Sequence, residues 1–143
     1  MKLSTKGQYG IHAMYELAQS GPIAPLSIKT IAERQSIPEA YLEQLLIALR
    51  KSGLLGSVRG AQGGYYLARG PEEITVGQVL RALEGELGFV ECLSEDTCLK
   101  AGACPTRLVW QKLHEGLNGI VDGITLQDML DDYERMSARE AKS

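Results

Sequence analysis

Residues 27–53 read SIKTIAERQSIPEAYLEQLLIALRKSG, and this stretch decides the fold. Ser27 is a good N-cap for a short helix carrying Ile28, Ile31 and Ala32. Ser36 and Ile37 make a tight turn, and Pro38 suits the first position of the next helix, where its missing N–H is not needed. That helix places Leu42, Leu45, Leu46 and Leu49 at helical spacing on one face, and Ser52-Gly53 closes it.

Immediately downstream the period changes to that of a hairpin. Leu55 to Arg59 reads as one short strand and Tyr65 to Ala68 as another, around the tip Gly60-Ala61-Gln62-Gly63-Gly64. Upstream, a helix is expected over 5–19, with Ile11, Met14, Tyr15 and Ala18 on one stripe. It stops at Ser20-Gly21-Pro22, and Ile23 to Leu26 connects it to Ser27. A leading helix, two helices joined by a brief turn, then a glycine-tipped hairpin is the order of parts in a winged helix-turn-helix. The expected class is mainly α with a small β-hairpin wing.

Beyond Pro71, Thr75 caps a helix with Val76, Val79, Leu80 and Leu83. Residues 84–103 then show no sustained periodicity, and a structureless stretch of that length calls for a functional explanation. From Pro105 a long helix carries Val109, Trp110, Leu113, Leu117, Ile120 and Val121, read as one continuous apolar stripe. So much apolar face, so far from the N-terminal core, predicts a helix–helix dimer seam. Thr125 caps a last helix with Leu126, Met129, Leu130 and Tyr133, and a polar, frayed tail is expected from Ser137. The expected organisation is a DNA-binding unit over 1–70, a linker helix and cysteine-bearing loop over 71–104, dimerisation and C-terminal helices over 105–136, and a tail over 137–143.

The chain has 143 residues, 44% hydrophobic and 23% charged, the size and composition of one globular domain with an appended dimer element. No apolar run approaches the ~18 residues of a membrane span, and Met1 to Lys6 lack the apolar stretch of a signal peptide, so a cytoplasmic location without membrane contact is expected. The net charge of −3 divides unevenly. Residues 1–70 carry +4 and residues 71–143 carry −7, an asymmetry that points to a polyanionic partner for the first half only.

In a helix-turn-helix, the second helix enters the major groove with its N-terminal side chains on base edges. Here those are Glu39, Ala40, Tyr41, Glu43 and Gln44. Gln44 can bond adenine through both ends of its amide, whereas Glu43 accepts only from cytosine N4 and so penalises other bases. Arg50 and Lys51 are candidates for phosphate contacts, as are Lys2, Ser4 and Lys6 near the first helix. Arg59, at the foot of the glycine tip, can reach a minor groove and read its width.

Cys92, Cys98 and Cys104 stand six positions apart. An odd number of cysteines without a secretion signal argues against a disulfide framework. Thiolates suit zinc, copper(I) or iron–sulfur iron, and glycines at 85, 88 and 102 let the three converge; idle thiols are the alternative. For a fourth donor the chain offers nitrogen from His12 and His114, and nearby oxygen from Glu91, Glu95 and Asp96. Gln8 and His12 share a helix face at i and i+4.

Leu3 to Gly10, Tyr41-Leu42-Glu43-Gln44-Leu45 and Ser57 to Tyr65 resemble the winged-helix regulators typified by the iron–sulfur cluster regulator IscR and the nitric-oxide sensor NsrR, over nearly the whole chain. The resemblance implies a homodimeric cytoplasmic transcription regulator, not an enzyme, that binds a double-stranded DNA operator. It further implies control of cluster-biogenesis genes and a dimer seam along 105–122. DNA contacts carry over to Tyr41, Glu43, Gln44 and Arg59, and ligation of an iron–sulfur cluster, 2Fe-2S in preference to 4Fe-4S, to Cys92, Cys98 and Cys104. Ala40 stands where the pattern has serine. The three cysteines place the chain nearer IscR and NsrR than the cysteine-metabolism repressor CymR, which lacks them.

A histidine is expected three residues after the last cysteine, where this chain has Arg107, which keeps its proton and cannot ligate in the usual way. Relatives take a donor from the first helix of the partner subunit, and with Gln8 at the carboxylate position, His12 of a second copy is the expected fourth ligand. The competing readings are a zinc-dependent or thiol-redox winged-helix repressor and a small iron–sulfur electron carrier. Enzymatic signatures are missing: no nucleophile–histidine arrangement stands out, and Gly60 to Gly64 lacks the Lys-Ser/Thr of a phosphate loop.

Overall fold

The computed structural model describes residues 4–21, 25–87 and 105–141. Its elements are α1 (Thr5–Ser20), α2 (Ile28–Gln35), α3 (Glu39–Lys51), β1 (Leu55–Val58), β2 (Gly64–Leu67), a 3-10 turn at Pro71–Glu73, α4 (Val76–Glu84), α5 (Arg107–Asp122) and α6 (Leu126–Ala141). The two strands pair antiparallel, with Leu55 opposite Leu67 and Val58 opposite Gly64. This is the expected mainly helical fold with a hairpin wing.

Ser27 caps α2 by accepting from the Thr30 N–H at 3.1 Å, and Ser36 turns the chain in the left-handed region at φ 54°. Pro38 corrects the sequence reading: it is the N-cap of α3, extended at ψ 131°, and the helix starts one residue later at Glu39. The chain leaves the left-handed turn in extended form, so proline's fixed φ serves the cap as well as it would serve the first helical residue. Leu42, Leu45, Leu46 and Leu49 of α3 are all buried, beside Met14 and Leu17 of α1 and Ile31 of α2.

The buried face of α1 differs from the expected stripe. Met14 and Ala18 are buried, but Gly7, Gly10, Ala13 and Leu17 complete the face, while Ile11 and Tyr15 lie at its edge. Small residues carry no hydrophobic signal, yet they let α1 lie close to α4. Glu16 is also buried, at 7% exposure, and accepts from Gln35 at 2.9 Å and from Arg34 at 3.3 Å. This tie fixes α1 to the end of α2.

Leu26 adds a third extended segment, one residue long, to the wing. It exchanges both backbone hydrogen bonds with Tyr65, at 2.9 and 2.8 Å. Glycine is required at 64 because a Cβ there would collide with the Leu26 carbonyl.

Helices α4 and α6 begin side by side. Thr75 and Thr125 form an antiparallel bridge, flanked by Val76 N–H to Ile124 O at 2.8 Å and Leu126 N–H to Ile74 O at 2.9 Å. Each threonine also opens a reciprocal cap, with Gln78 in α4 and with Asp128 in α6. Both expected caps are present.

Three expectations for the C-terminal third need correction. Helix α5 starts at Arg107, because Pro105 and Thr106 form a turn and Thr106 makes no side-chain cap bond. The apolar stripe of α5 divides into two faces. Trp110, Leu117 and Val121 turn inward, and Leu117 and Val121 join Leu80 and Leu87 in a small cluster; Val109, Leu113 and Ile120 remain exposed. Finally, α6 continues through Ser137 to Ala141, where fraying was expected.

Candidate nucleic-acid interface

Because α3 buries its leucines, its opposite face presents Glu39, Ala40, Glu43 and Gln44, all exposed and at i, i+4 spacing. Tyr41 lies half-buried at the edge of this face, its ring meeting Tyr9 of α1 edge-on at 5.7 Å between centroids. That contact limits the freedom of a side chain at the front of the recognition helix.

Arg59 is exposed at the end of the wing, and Arg50 donates to Ser57 Oγ at 3.2 Å. Arg50 therefore braces β1 against the last turn of α3. Arg50, Arg59 and Glu39 line one open groove of about 390 Å³, shared with Lys29 and Ser27 at the start of α2. Three cations and one carboxylate border it. Sequence reasoning missed Lys29, although a lysine in the first turn of the leading helix of the pair was legible, since that helix crosses the DNA backbone in this architecture. Lys6 and Lys51 are exposed but do not border the groove. Ser4 serves as the N-cap of α1 and donates its N–H at 3.0 Å, and also its hydroxyl, to the Glu84 carboxylate. Lys2 lies outside the described residues.

A second polar cluster joins α4 to α5. Arg81 donates to both carboxylate oxygens of Asp122, at 2.6 and 2.9 Å, and to Asn118 Oδ1 at 2.5 Å. The hydrogen bond to Asp122 raises the Arg81 pKa and holds the Asp122 carboxyl below its ordinary value. Gly77 permits this approach: a Cβ there would strike the Asp122 carboxylate. Asn118 Nδ2 donates to Leu87 O at 3.1 Å and to His114 O at 2.8 Å.

Cys92, Cys98 and Cys104 lie outside the described residues, and among those residues no group of three His, Cys, Asp or Glu side chains is placed to hold a metal. His12 is exposed on α1, as is Gln8. His114 lies half-buried on the inner face of α5. No helix among the described residues is long and apolar enough to cross a membrane.

A two-helix reading unit with a braced wing, its recognition face polar and its flank basic, defines a winged helix-turn-helix DNA-binding protein. The chain belongs to the Rrf2 family, described as iron-dependent transcriptional regulators, whose model matches residues 3–132. It is a DNA-binding transcription regulator and not an enzyme. A solved structure described as T. potens IscR superposes with a TM-score of 0.78 at 48% identity, covering 95% of this chain and 90% of that one. The transcriptional regulator CymR of Bacillus subtilis (strain 168) is 41% identical over 129 residues, 90% of this chain and 89% of its own. The regulator IscR of Aliivibrio salmonicida is 39% identical over 134 residues, 94% of this chain and 80% of its own.

Proposed function

We propose that this regulator is a homodimer whose operator binding responds to an iron–sulfur cluster, 2Fe-2S in preference to 4Fe-4S, held by Cys92, Cys98 and Cys104. The observation that carries the reading is the presence of three thiols between α4 and α5 in a chain of an iron-dependent regulator family. Thiolates with one nitrogen donor suit iron–sulfur iron. The described residues supply two histidines for that donor, His12 and His114. When bound, the cluster supplies an anchor whose presence depends on iron and oxidants.

Operator contact in this reading falls to Tyr41, Glu43 and Gln44 in the major groove and Arg59 at the minor groove, with phosphates held by Arg50 and Lys51 and from the Lys2, Ser4 and Lys6 end of α1. The exposed Val109, Leu113 and Ile120 of α5 form the seam with a second copy. Two recognition helices then meet half-sites about one helical turn, ~34 Å, apart. The thiol-bearing segment joins α4 to α5, so a change within it acts on the Arg81–Asp122 joint and reorients the recognition helices. Cluster-biogenesis genes are the proposed targets, with repression as the mode.

The similarity to CymR favours a second reading, a regulator without a cluster that senses through thiols or zinc. Anaerobic purification separates the two. A brown protein with iron and acid-labile sulfide in equal amounts supports the first reading. A colourless protein, with or without zinc, overturns it.

A further inference from the structure

Between the end of α1, the end of β2 and α6 lies a pocket of about 600 Å³, within the size range of small-molecule sites. Small residues account for the space: Ala18 is buried at its floor, and Gly21, Ala68 and Gly70 stand around it. Leu67, Pro71 and Leu130 supply an apolar wall, and both leucines pack against the main core. The pocket shares no residue with the groove at Arg50 and Arg59.

Its polar groups are of opposite kinds. Arg69 and Glu72 border it from one short stretch of chain. A Cβ at Gly70 would strike the Glu72 carboxylate, so that head group lies against backbone that lines the pocket. Among the described residues, neither Arg69 nor Glu72 makes a hydrogen bond or ion pair, with the other or with any third group. Gln127 gives an amide N–H to Asp131 at 3.0 Å, which leaves its Oε1 as an acceptor at the pocket. An unengaged cation, an unengaged carboxylate and a carbonyl acceptor therefore meet one apolar hollow.

A ligand that satisfies all three carries an anionic group for the guanidinium fork, a charged N–H donor for Glu72 and Gln127, and an apolar body. A purely anionic ligand would meet like charge at Glu72, and a purely cationic one would meet it at Arg69. We infer that this pocket binds a zwitterionic α-amino acid with a bulky apolar side chain, its carboxylate on Arg69 and its ammonium on Glu72 and Gln127. The apolar side chain lies against Leu67, Pro71 and Leu130. The ligand would touch α1 and the wing on one side and α6 on the other, so its binding adds to the tie between the reading unit and the C-terminal helices. The inference does not depend on the iron–sulfur reading, and every outcome below holds for protein with or without iron.

The test titrates the full-length protein with L-leucine and L-phenylalanine by isothermal titration calorimetry. The methyl ester of each, which lacks the carboxylate charge, and the corresponding deaminated acid, which lacks the ammonium, serve as comparisons. At least one amino acid should bind saturably at one site per chain and raise the melting temperature. Its ester and its deaminated acid should each bind at least about tenfold more weakly. Arg69→Gln and Glu72→Gln should each weaken the amino acid by about tenfold or more, with the melting temperature of the free protein unchanged because neither side chain is bonded. Ala68→Trp, at an exposed position on the rim, should abolish binding by filling the pocket while both charges remain. No saturable binding of either amino acid up to about 10 mM overturns the inference. So does binding that survives Ala68→Trp, an affinity unchanged in either charge variant, or an ester or deaminated acid that binds as well as its parent.

Discussion

Lys29 offers a quantitative test of the groove between the wing and the helix pair. It is exposed in the first turn of α2 and borders the 390 Å³ groove with Arg50, Arg59 and Glu39. Arg50 gives one guanidinium N–H to Ser57 and keeps its others for phosphate, beside the exposed Lys29 and Arg59. Each phosphate neutralised on duplex DNA contributes about 0.9 to the slope of log affinity against log salt. Lys29→Ala should lower that slope by about 0.9 per bound copy, or about 1.8 for a dimer with both copies engaged. Between 50 and 200 mM salt, the wild type should then lose about twelvefold more affinity than the variant. Fluorescence anisotropy with a random-sequence duplex measures this without knowledge of the operator. Glu39→Gln removes the one carboxylate bordering the groove and should raise affinity for every sequence. If wild type and Lys29→Ala give equal slopes, the groove does not face the DNA backbone and the docking argument fails.

Two further outcomes concern the C-terminal helices. Leu113→Glu, at a position 44% exposed on the outer face of α5, should yield monomers in sedimentation experiments with an unchanged helical circular dichroism signal; a dimer that survives puts the seam elsewhere. The Arg81–Asp122 pair should be insensitive to pH near neutrality. Because its hydrogen bond with Arg81 depresses the Asp122 pKa, its contribution is fully present above the unfolded carboxyl value of about 3.9 and is lost as pH falls through the lower folded value. The difference in urea midpoint between wild type and Asp122→Asn should therefore stay constant from pH 5 to 8 and shrink in acid. A change between pH 6 and 8 would show that some other group governs the joint.

Local signals were legible where a residue acts on its own neighbours. Ser27, Thr75 and Thr125 cap helices because a side-chain oxygen three residues before an orphan N–H satisfies it, whatever the rest of the chain does. The leucines of α3 were equally plain, since every one faces the same core. The stripe of α5 misled because a helix with apolar residues on both an inward and an exposed face shows one broad band in sequence, and only the packed molecule separates Trp110, Leu117 and Val121 from Val109, Leu113 and Ile120. Small residues escaped for the opposite reason. Gly7, Gly10 and Ala13 are buried through close approach, not through apolar bulk. The Glu16–Gln35, Leu26–Tyr65 and Arg81–Asp122 contacts join segments far apart in sequence, and no spacing rule reveals them. Within the candidate interface, the exposed face of α3 followed from periodicity, whereas the bracing of Arg50 by Ser57 and the convergence of Lys29 on the wing required the fold.

Helix α4 gathers a separate set of long-range contacts, packing against α1, α3 and α5. Its first residue is pinned to the start of α6 through the Ile124 carbonyl, its middle to α5 through Arg81, and its last residue, Glu84, to the N-terminus of α1 through Ser4. Helix α1 in turn holds Tyr41 through Tyr9 and the end of α2 through Glu16. A side chain on α3 is therefore connected to α5 through two helices whose packed interiors resist gradual deformation. Under such constraint, a shift of α5 against α4 carries the reading unit with it as a body. In a dimer joined along α5, that rotation is doubled across the symmetry axis, and the fixed spacing of major grooves turns a small angle into a lost or gained fit. On the proposed reading, a sensing segment between α4 and α5 would then control recognition without touching DNA.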